Sequence, residues 1–531
     1  MGLGRTYGAA VVGLTARIVE VQAHVSQGLP QLALVGLADT ALAESRVRVR
    51  SAITNSGLRW PDKRVTVGLS PAWLPKKGPA LDVAIALAIL VADGQVPPDS
   101  VAGLLAVGEL GLDGRIRPVV GALSAALLVA ERPLAGRESR MVTGQSDAEQ
   151  ARLVPGIEVS DAQSLRQLVA MLRGEQFEPE SLGPDGFIGD DDSSISVTST
   201  VASAIGSGDL ADVRGQVEAK LGLEVAAAGG HHVVLLGRAG VGKTLLADRF
   251  PGLLPELSPQ ESLEVTSIHQ LAGERSAAAG TIRRPLRIAP HHTATRIAII
   301  GGGSADRPSV GAVSLAHHGV LFLDEAAEFD PSVLDGLREP LESGVVTIAR
   351  AGFRVSLPAD CQLFLATNPC PCGRALDPER STQCRCTPTT RRRYVDRLSG
   401  PLLDRMDVRV ILSRPTVAQL KGLSGDVVES SAVVAQRVTQ AREQMTKRLA
   451  GTGWSTNARV PMSVFDREWP LRPEVAHCLD RNTRWESARG RHRVLATAWT
   501  IADLAGRTSP IADDVQTAAM LRNDLDQWSA A

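Results

Sequence analysis

The 531-residue sequence predicts an α/β protein of several domains arranged around a phosphate-binding core. Three observations carry that prediction. The segment "HHVVLLGRAGVGKTLLADRF" passes from an apolar strand through a glycine-rich turn into a helix. Two further apolar stretches, "GVLFLDEAAEF" and "CQLFLATNPCPCG", end in polar residues suited to catalysis. An alternating strand and helix pattern precedes them, and a helical pattern follows. At roughly 150 residues per domain, a chain of this length holds about three or four domains with ample buried core.

Composition narrows the function classes. Apolar residues at 44% and charged residues at 22% are ordinary for a globular protein, and the formal net charge of −1 excludes a basic coat spread over the whole surface. Any nucleic-acid contact must therefore be local. Aromatic residues at 3% argue against a surface that works mainly by stacking bases. The apolar run "ALDVAIALAILVA" (80–92) contains Asp82 and is too short to cross about 30 Å of hydrocarbon. The N-terminus lacks the pattern of a secretion signal, so the expectation is a cytoplasmic protein without a membrane partner. In a reducing compartment, cysteines serve as metal ligands or core residues rather than disulfides.

The elements follow in order. Residues 1–172 read as β-branched strands, such as "RVTVGLS" (64–70), alternating with Ala/Leu-rich helices such as 80–92. Residues 173–208 are rich in Gly, Ser, Pro and Asp without helical periodicity, which predicts an acidic flexible linker. Residues 209–414 hold the phosphate-binding core. Residues 415–531 are mostly helical in pattern, broken at Pro461, Pro470, Pro473 and Pro510, which predicts a small all-α domain.

"GRAGVGKT" (237–244) fits G-x-x-x-x-G-K-[ST] and lies between a strand and a helix, as that motif requires. Gly237, Gly240 and Gly242 let backbone N–H groups curl around phosphate oxygens, and the helix start adds partial positive charge. Lys243 is expected on the β- and γ-phosphates of ATP, and Thr244 on Mg²⁺. At the end of the second strand, Asp324 is expected to coordinate Mg²⁺ through water, and Glu325 to orient and deprotonate the attacking water. Asn368 ends the third strand, where parallel sheets place their ligands, and is expected to reach the water or the γ-phosphate.

Cys370, Cys372, Cys384 and Cys386 form C-x-C-x₁₁-C-x-C in a loop (368–390) with too little apolar content for a core of its own. Four thiolates around one Zn²⁺ would fold such a loop, with free cysteines as the competing reading. Cys361 and Cys478 read as core residues.

With these motifs assembled, the chain resembles the ComM (YifB) family, magnesium-chelatase-like AAA+ ATPases. The likeness extends to "GLPQLALVGLADTALAESRVRVRSAITNSG" (28–57), "APHHTATRIAIIGGG" (289–303), "NPCPCG" (368–373), "RRRYVDRLSGPLLDRMD" (391–407) and "SARGRHRVLATAWTIADLAG" (487–506). The resemblance implies an AAA+ P-loop core with a helical lid, assembled as a homo-hexameric ring with nucleotide sites between subunits. It implies that Arg405 enters the neighbouring site as an arginine finger, a role worth roughly 10³–10⁵ in rate in related systems. Arg489 matches the lid sensor arginine, with Arg493 as a substitute. Trp499 departs from the family pattern, which has arginine there. Two pore-facing segments are implied: an insert within 281–313, bearing Arg283, Arg284, Arg287, Arg296 and Arg307, and the strand–turn–strand "VTIARAGFRVSLP" (346–358), bearing Arg350 and Arg354. Such arginines would track phosphates without reading sequence. Ordinary exposed arginines are the alternative. The N-terminal block resembles a Lon-protease-type (S5-type) α/β domain, with Ala80 at the serine position and Ser124 at the lysine position, so peptidase chemistry is not expected.

The function these features imply is an ATP-hydrolysing DNA motor, a helicase promoting branch migration of sequence-nonspecific branched or single-stranded DNA in recombination or natural transformation. The alternatives are a magnesium-chelatase-like ATPase that remodels a partner protein, and a nucleotide-gated scaffold, which would not need Glu325.

Overall fold

The computed structural model describes residues 2–12, 14–36, 41–72, 74, 76, 78–176, 208–273, 281–303, 308–350, 353–375, 384–421, 423, 428–483 and 487–522. Most of the expected linker (177–207), Arg307, Gly352 and the middle of the cysteine loop lie outside the described residues.

The N-terminal domain is built on a seven-stranded mixed sheet. Its strands are β1 (Gly2–Val12), β2 (Thr15–Ser26), β3 (Gln31–Val35), β4 (Arg64–Ser70), β5 (Leu104–Ala106), β6 (Arg140–Thr143) and β7 (Glu158–Asp161), in the order β3-β4-β2-β1-β5-β6-β7. β1 and β2 pair antiparallel, whereas β5, β6 and β7 run parallel. The helix Asp82–Ala92 is apolar on all sides, and all of its residues are buried. It can lie directly on β1 because a Cβ at Gly2 or Gly4 would fall 1.8 or 2.1 Å from the carbonyl oxygens of Ala92 and Ala88. Asp82 heads that helix at zero exposure, held by Arg48 at 2.7 Å and by the Ser45 hydroxyl at 2.7 Å. Burial pushes its carboxyl pKa up in spite of both partners. Ala80 sits in the short turn Pro79–Leu81 and packs in one apolar cluster with the helix Ala122–Glu131, which carries Ser124. Ala80 offers no nucleophile there.

The core strands are β8 (Val233–Leu236), β9 (Arg287–Ile288), β10 (Val320–Leu323), β11 (Val345–Arg350), β12 (Phe353–Pro358), β13 (Gln362–Thr367) and β14 (Val408–Ile411). Five of them form a parallel sheet in the order β9-β10-β13-β8-β14. Every residue of β8 and β10 is buried, as expected of parallel strands covered on both faces. Phe364 of β13 packs edge-on against Phe250 and Phe322, with ring centroids 5.4 and 5.6 Å apart. β11 and β12 pair as an antiparallel hairpin outside this sheet. Val346, Ile348, Val355 and Leu357 turn inward on it, while Thr347, Ala349, Arg354 and Ser356 alternate outward.

The C-terminal helices Ser431–Leu449, Met462–Glu468, Pro473–Asn482, Ala488–Leu504 and Ala512–Met520 begin at or just after several of the predicted breaks. Trp499 is buried at their centre, stacked on Phe465 at 6.0 Å with the Arg448 guanidinium 4.4 Å above its ring. The departure from arginine at this position is thus a packing residue of the lid. Among the described residues, no helix is long and apolar enough to cross a membrane.

Asp407 joins this helical domain to the sheet. It is buried just before β14, accepts the His232 backbone N–H at 2.9 Å and pairs with Arg493 of the lid at 3.2 Å. Burial alone would raise its carboxyl pKa, but Arg493 and His231 hold it well below the ordinary carboxylate range. The stabilisation from such a depressed group is complete above the unfolded value of about 4 and is lost as pH falls through the folded value. Asp407→Ala leaves Arg493 as a half-compensated cation and is expected to destabilise the chain by about 3–5 kcal/mol. Urea denaturation at pH 7 measures this as a lowered midpoint, and an unchanged midpoint would refute the assignment.

Candidate functional site

The cleft lies where β8, β13 and β10 end side by side. It has a volume of about 360 Å³ and is lined by Ala239, Gly240, Gly242, Lys243, Thr244, Leu245, Asp324, Glu325 and Asn368. The parallel register explains the gathering. Leu236 lies opposite Thr367, and Leu323 opposite Leu365, so the residues that follow these strands emerge at one edge.

The loop after β8 turns through Gly240 (φ 75°) and Gly242 (φ 101°), left-handed conformations that glycine adopts without steric cost. Its first glycine, Gly237, donates its N–H to the Thr367 carbonyl at 3.2 Å, tying the loop to β13. Lys243 opens the helix Lys243–Arg249 and is buried. Its ammonium donates to the carbonyls of Gly237 (2.7 Å) and Arg238 (3.0 Å) and to Asn368 Oδ1 (2.9 Å), which uses all three hydrogens. Burial lowers its pKa from the ordinary lysine value, opposed by Asp324 and Glu325.

Thr244 Oγ1 donates to Asp324 Oδ2 at 2.8 Å. A hydroxyl and a carboxylate in contact at the mouth of a phosphate loop form the hard-oxygen donor set that Mg²⁺ prefers, so these residues fit that ion. Glu325 follows at φ 51°, and its N–H donates to Asp324 Oδ1 at 2.9 Å. A left-handed non-glycine residue costs energy and occurs where surrounding structure enforces it. Here the turn directs a half-exposed carboxylate into the cleft beside the Asp324 carboxylate.

The cysteine loop abuts the same cleft. A Cβ at Gly373 would stand 3.6 Å from the Ala239 backbone nitrogen. The sulfurs of Cys370, Cys372, Cys384 and Cys386 all lie within 4.8 Å of one another, a donor set that fits a tetrahedral zinc site. Burial tends to raise Cys372, but the Arg374 N–H and neighbouring thiols bring it down to about 6. Burial pushes Cys370 and Cys386 up. Cys361 is buried in β13's approach, and Cys478 is half-buried in the lid.

Arg405 and Arg489 do not line the cleft. They meet instead on Glu342, whose Oε1 accepts from Arg405 at 2.5 Å and from Arg489 at 2.7 Å. Arg493 is committed to Asp407. Arg296 is exposed at the start of the helix Arg296–Ile300, and Arg354 is exposed on β12. The segments bearing them share one apolar cluster, to which Ile299, Val346 and Ile348 belong, and a Cβ at Gly301 would stand 3.3 Å from Ile348 Cδ1. Arg350 closes β11 opposite Phe353 in the backbone register, and Arg307 lies outside the described residues. Of the other insert arginines, Arg287 turns inward, paired with Asp248 at 3.0 Å and lying over the Phe322 ring.

Sequence reasoning missed His292, whose Nδ1 is 3.5 Å from Glu325 Oε2. The doubled histidine of "APHHTATR" was its one visible signal. A second metal-capable group, Glu264 with His317 and His318, was also missed. His317 Nδ1 accepts the Asp360 N–H at 3.0 Å, so its Nε2 carries the hydrogen that faces Glu264. That tautomer leaves His317 no lone pair for a metal, and the cluster reads as a half-buried hydrogen-bonded joint.

Three family models match along the chain: "Subunit ChlI of Mg-chelatase" over residues 21–136, "Magnesium chelatase, subunit ChlI" over 209–420, and "Magnesium chelatase, subunit ChlI C-terminal" over 428–522. A protein of Mycobacterium tuberculosis is 46% identical over 98% of this chain and 99% of its own length. YifB of Escherichia coli is 41% identical, and the competence protein ComM of Haemophilus influenzae 37% identical, each over 95% of this chain and 94% of its own. Identity of this extent, together with a phosphate loop, an Asp-Glu strand end and a helical lid in one fold, places the chain in the ComM/YifB family of magnesium-chelatase-like AAA+ ATPases.

Proposed function

We propose that this protein is a cytoplasmic ATP-hydrolysing motor that acts on DNA as a homo-hexameric ring, a helicase promoting branch migration. The observation that carries the DNA reading is the pairing of two arginine-bearing segments. Arg296 and Arg354 are exposed on segments that contribute to one apolar cluster, and Arg350 and Arg307 belong to the same two segments. Exposed guanidinium groups pair with phosphate oxygens in a fixed fork geometry, which suits tracking of a phosphate backbone. The name of the Haemophilus relative, a competence protein, agrees with a task on incoming DNA. A second reading, remodelling of a partner protein, is favoured by the family models, which describe a magnesium chelatase subunit.

In the hydrolytic step, Lys243 exchanges its carbonyl partners for phosphate oxygens of ATP, and Thr244 and Asp324 are the residues that would hold Mg²⁺. That ion, when bound, would supply positive charge against the phosphate oxygens. Glu325 accepts the proton of the attacking water, and Asn368 orients that water or the γ-phosphate. Arg405 acts on a neighbouring subunit's site and Arg489 acts from the lid. Among the described residues lining the cleft none is an arginine, which agrees with a guanidinium supplied from outside it. A zinc ion on Cys370, Cys372, Cys384 and Cys386 would pin the loop that follows Asn368.

Lys243→Ala is expected to abolish nucleotide binding. Glu325→Gln is expected to keep binding while turnover falls about 10²–10⁴-fold, and normal turnover by this variant would refute its role as base. ATP turnover should rise with forked or four-way DNA and fall back as salt increases. Arg296→Ala with Arg354→Ala should remove that rise, and equal turnover with and without DNA would favour the partner-protein reading. Metal analysis should find about one zinc per chain, absent from the four-Cys-to-Ser variant. Protein without zinc whose Cys-to-Ser variant keeps its thermal stability would refute the metal site.

A further inference from the structure

The carboxylate shared by Arg405 and Arg489 belongs to the root of the arginine-bearing hairpin. Glu342 lies at the end of the helix Arg338–Ser343, Gly344 terminates that helix at φ 68°, and β11 begins at Val345. The preceding residue, Leu341, offers its carbonyl to Arg459 of the lid at 3.0 Å. One short stretch of backbone therefore holds two lid arginines and the arginine that precedes β14.

The electrostatics of this junction are unusual. Arg405 has a side-chain exposure of 6%, and it also donates to the Pro401 carbonyl at 2.6 Å. Among the described residues its Nε has no partner. Burial and the neighbouring Arg489 both act against its charge, and Glu342 acts for it. Arg489 is more exposed, with Asp404 3.6 Å away as a further anion. Two like charges are thus brought to one carboxylate oxygen, and without the Glu342 charge the buried Arg405 would be left largely uncompensated. Of the two arginines, Arg405 depends on Glu342 the more, because Arg489 keeps Asp404 and solvent.

We infer that Glu342 is a positioning residue that couples the hairpin to both arginines, so that a strand of nucleic acid held by the hairpin changes ATP turnover by re-aiming Arg405 and Arg489. This rests on the motor reading above. The carboxylate holds the guanidinium groups in place when the hairpin is at rest, and movement of β11 carries the carboxylate with it across Ser343 and Gly344. Packing of the hairpin through Val346 and Ile348 into the core gives that movement a restricted path.

The test uses the full-length protein, with ATP turnover measured with and without forked DNA and with affinity for a fluorescent ATP analogue measured in parallel. Glu342→Gln is expected to lower kcat about tenfold or more, as misplacement of a catalytic group by about 1 Å does, while affinity for the analogue is retained. The increment caused by DNA should disappear. Adding Glu342→Gln to Arg405→Ala should cost nothing further, because the two act as a unit. Independent, multiplying losses would overturn the inference, as would a DNA response in Glu342→Gln equal to that of the unaltered protein. Where Glu342→Gln fails a thermal-melt check, Glu342→Asp withdraws the carboxylate by one methylene, and an unchanged DNA response in that variant also overturns the inference. Impaired Arg405→Ala beside normal Glu342→Gln rejects the coupling alone. Normal turnover by Arg405→Ala rejects the arginine assignment of the motor reading, and the coupling with it.

Discussion

The core depends on the parallel alignment of β8, β13 and β10. Because these strands are apolar and covered on both faces, polar side chains can be tolerated only where the strands end. Two contacts lock the ends together: Lys243 to Asn368 at 2.9 Å and Thr244 to Asp324 at 2.8 Å. The first links the phosphate loop to the adjacent strand β13, and the second reaches past it to the end of β10. A slip of β13 by one residue would turn its side chains to the opposite face and remove the acceptor for a buried ammonium, so register and nucleotide chemistry are enforced by the same contacts.

Much of this was legible in the sequence because it is locally encoded. A four-residue apolar run before G-x-x-x-x-G-K-[ST] needs no tertiary information to be read, and the alternation in "VTIARAGFRVSLP" announces a hairpin by period alone. Pro461 and Pro473 likewise mark helix starts through their missing N–H. What could not be read is non-local. Glu342 has no motif, since its importance comes from two arginines that arrive from 63 and 147 residues away in sequence. Asp407 is an unremarkable letter in "DRMD" until the fold brings Arg493 to it. The order of the N-terminal sheet, with β3 on one edge and β7 on the other, and the close packing of the Asp82–Ala92 helix against glycine-lined β1 are tertiary features that no periodicity discloses.

Near-zero net charge coexists with local positive surface because the arginines are sorted. Arg48, Arg437, Arg448 and Arg493 are each engaged by carboxylates inside or between domains. Arg437 shows the strength of such engagement, bound at once by Glu224 and Glu429, which raise its pKa further. These cations are structural, and mutating them would test folding rather than binding. Arg296 and Arg354 are exposed, so their charge remains available to a phosphate backbone.

The distribution of cations around the cleft bears on how the site is completed. Among the described cleft-lining residues Lys243 is the one cation, and its three hydrogens are already satisfied by the loop and Asn368. Its approach to a triphosphate must therefore exchange existing bonds, which limits the net charge stabilisation that the subunit's own cleft supplies. Phosphoryl transfer gains most from a guanidinium that meets the developing charge without prior ligands in the cleft. In the proposed ring, Arg405, held by Glu342 beyond the lining residues, would satisfy that condition at a site other than the one its own phosphate loop forms. A buried arginine kept charged by one shared carboxylate is also one whose aim a small displacement can alter, because removing the carboxylate exposes the full desolvation cost of the cation. Assembly, strand binding and hydrolysis would then be linked through an electrostatic balance at one residue, with no requirement that the parallel sheet itself deform.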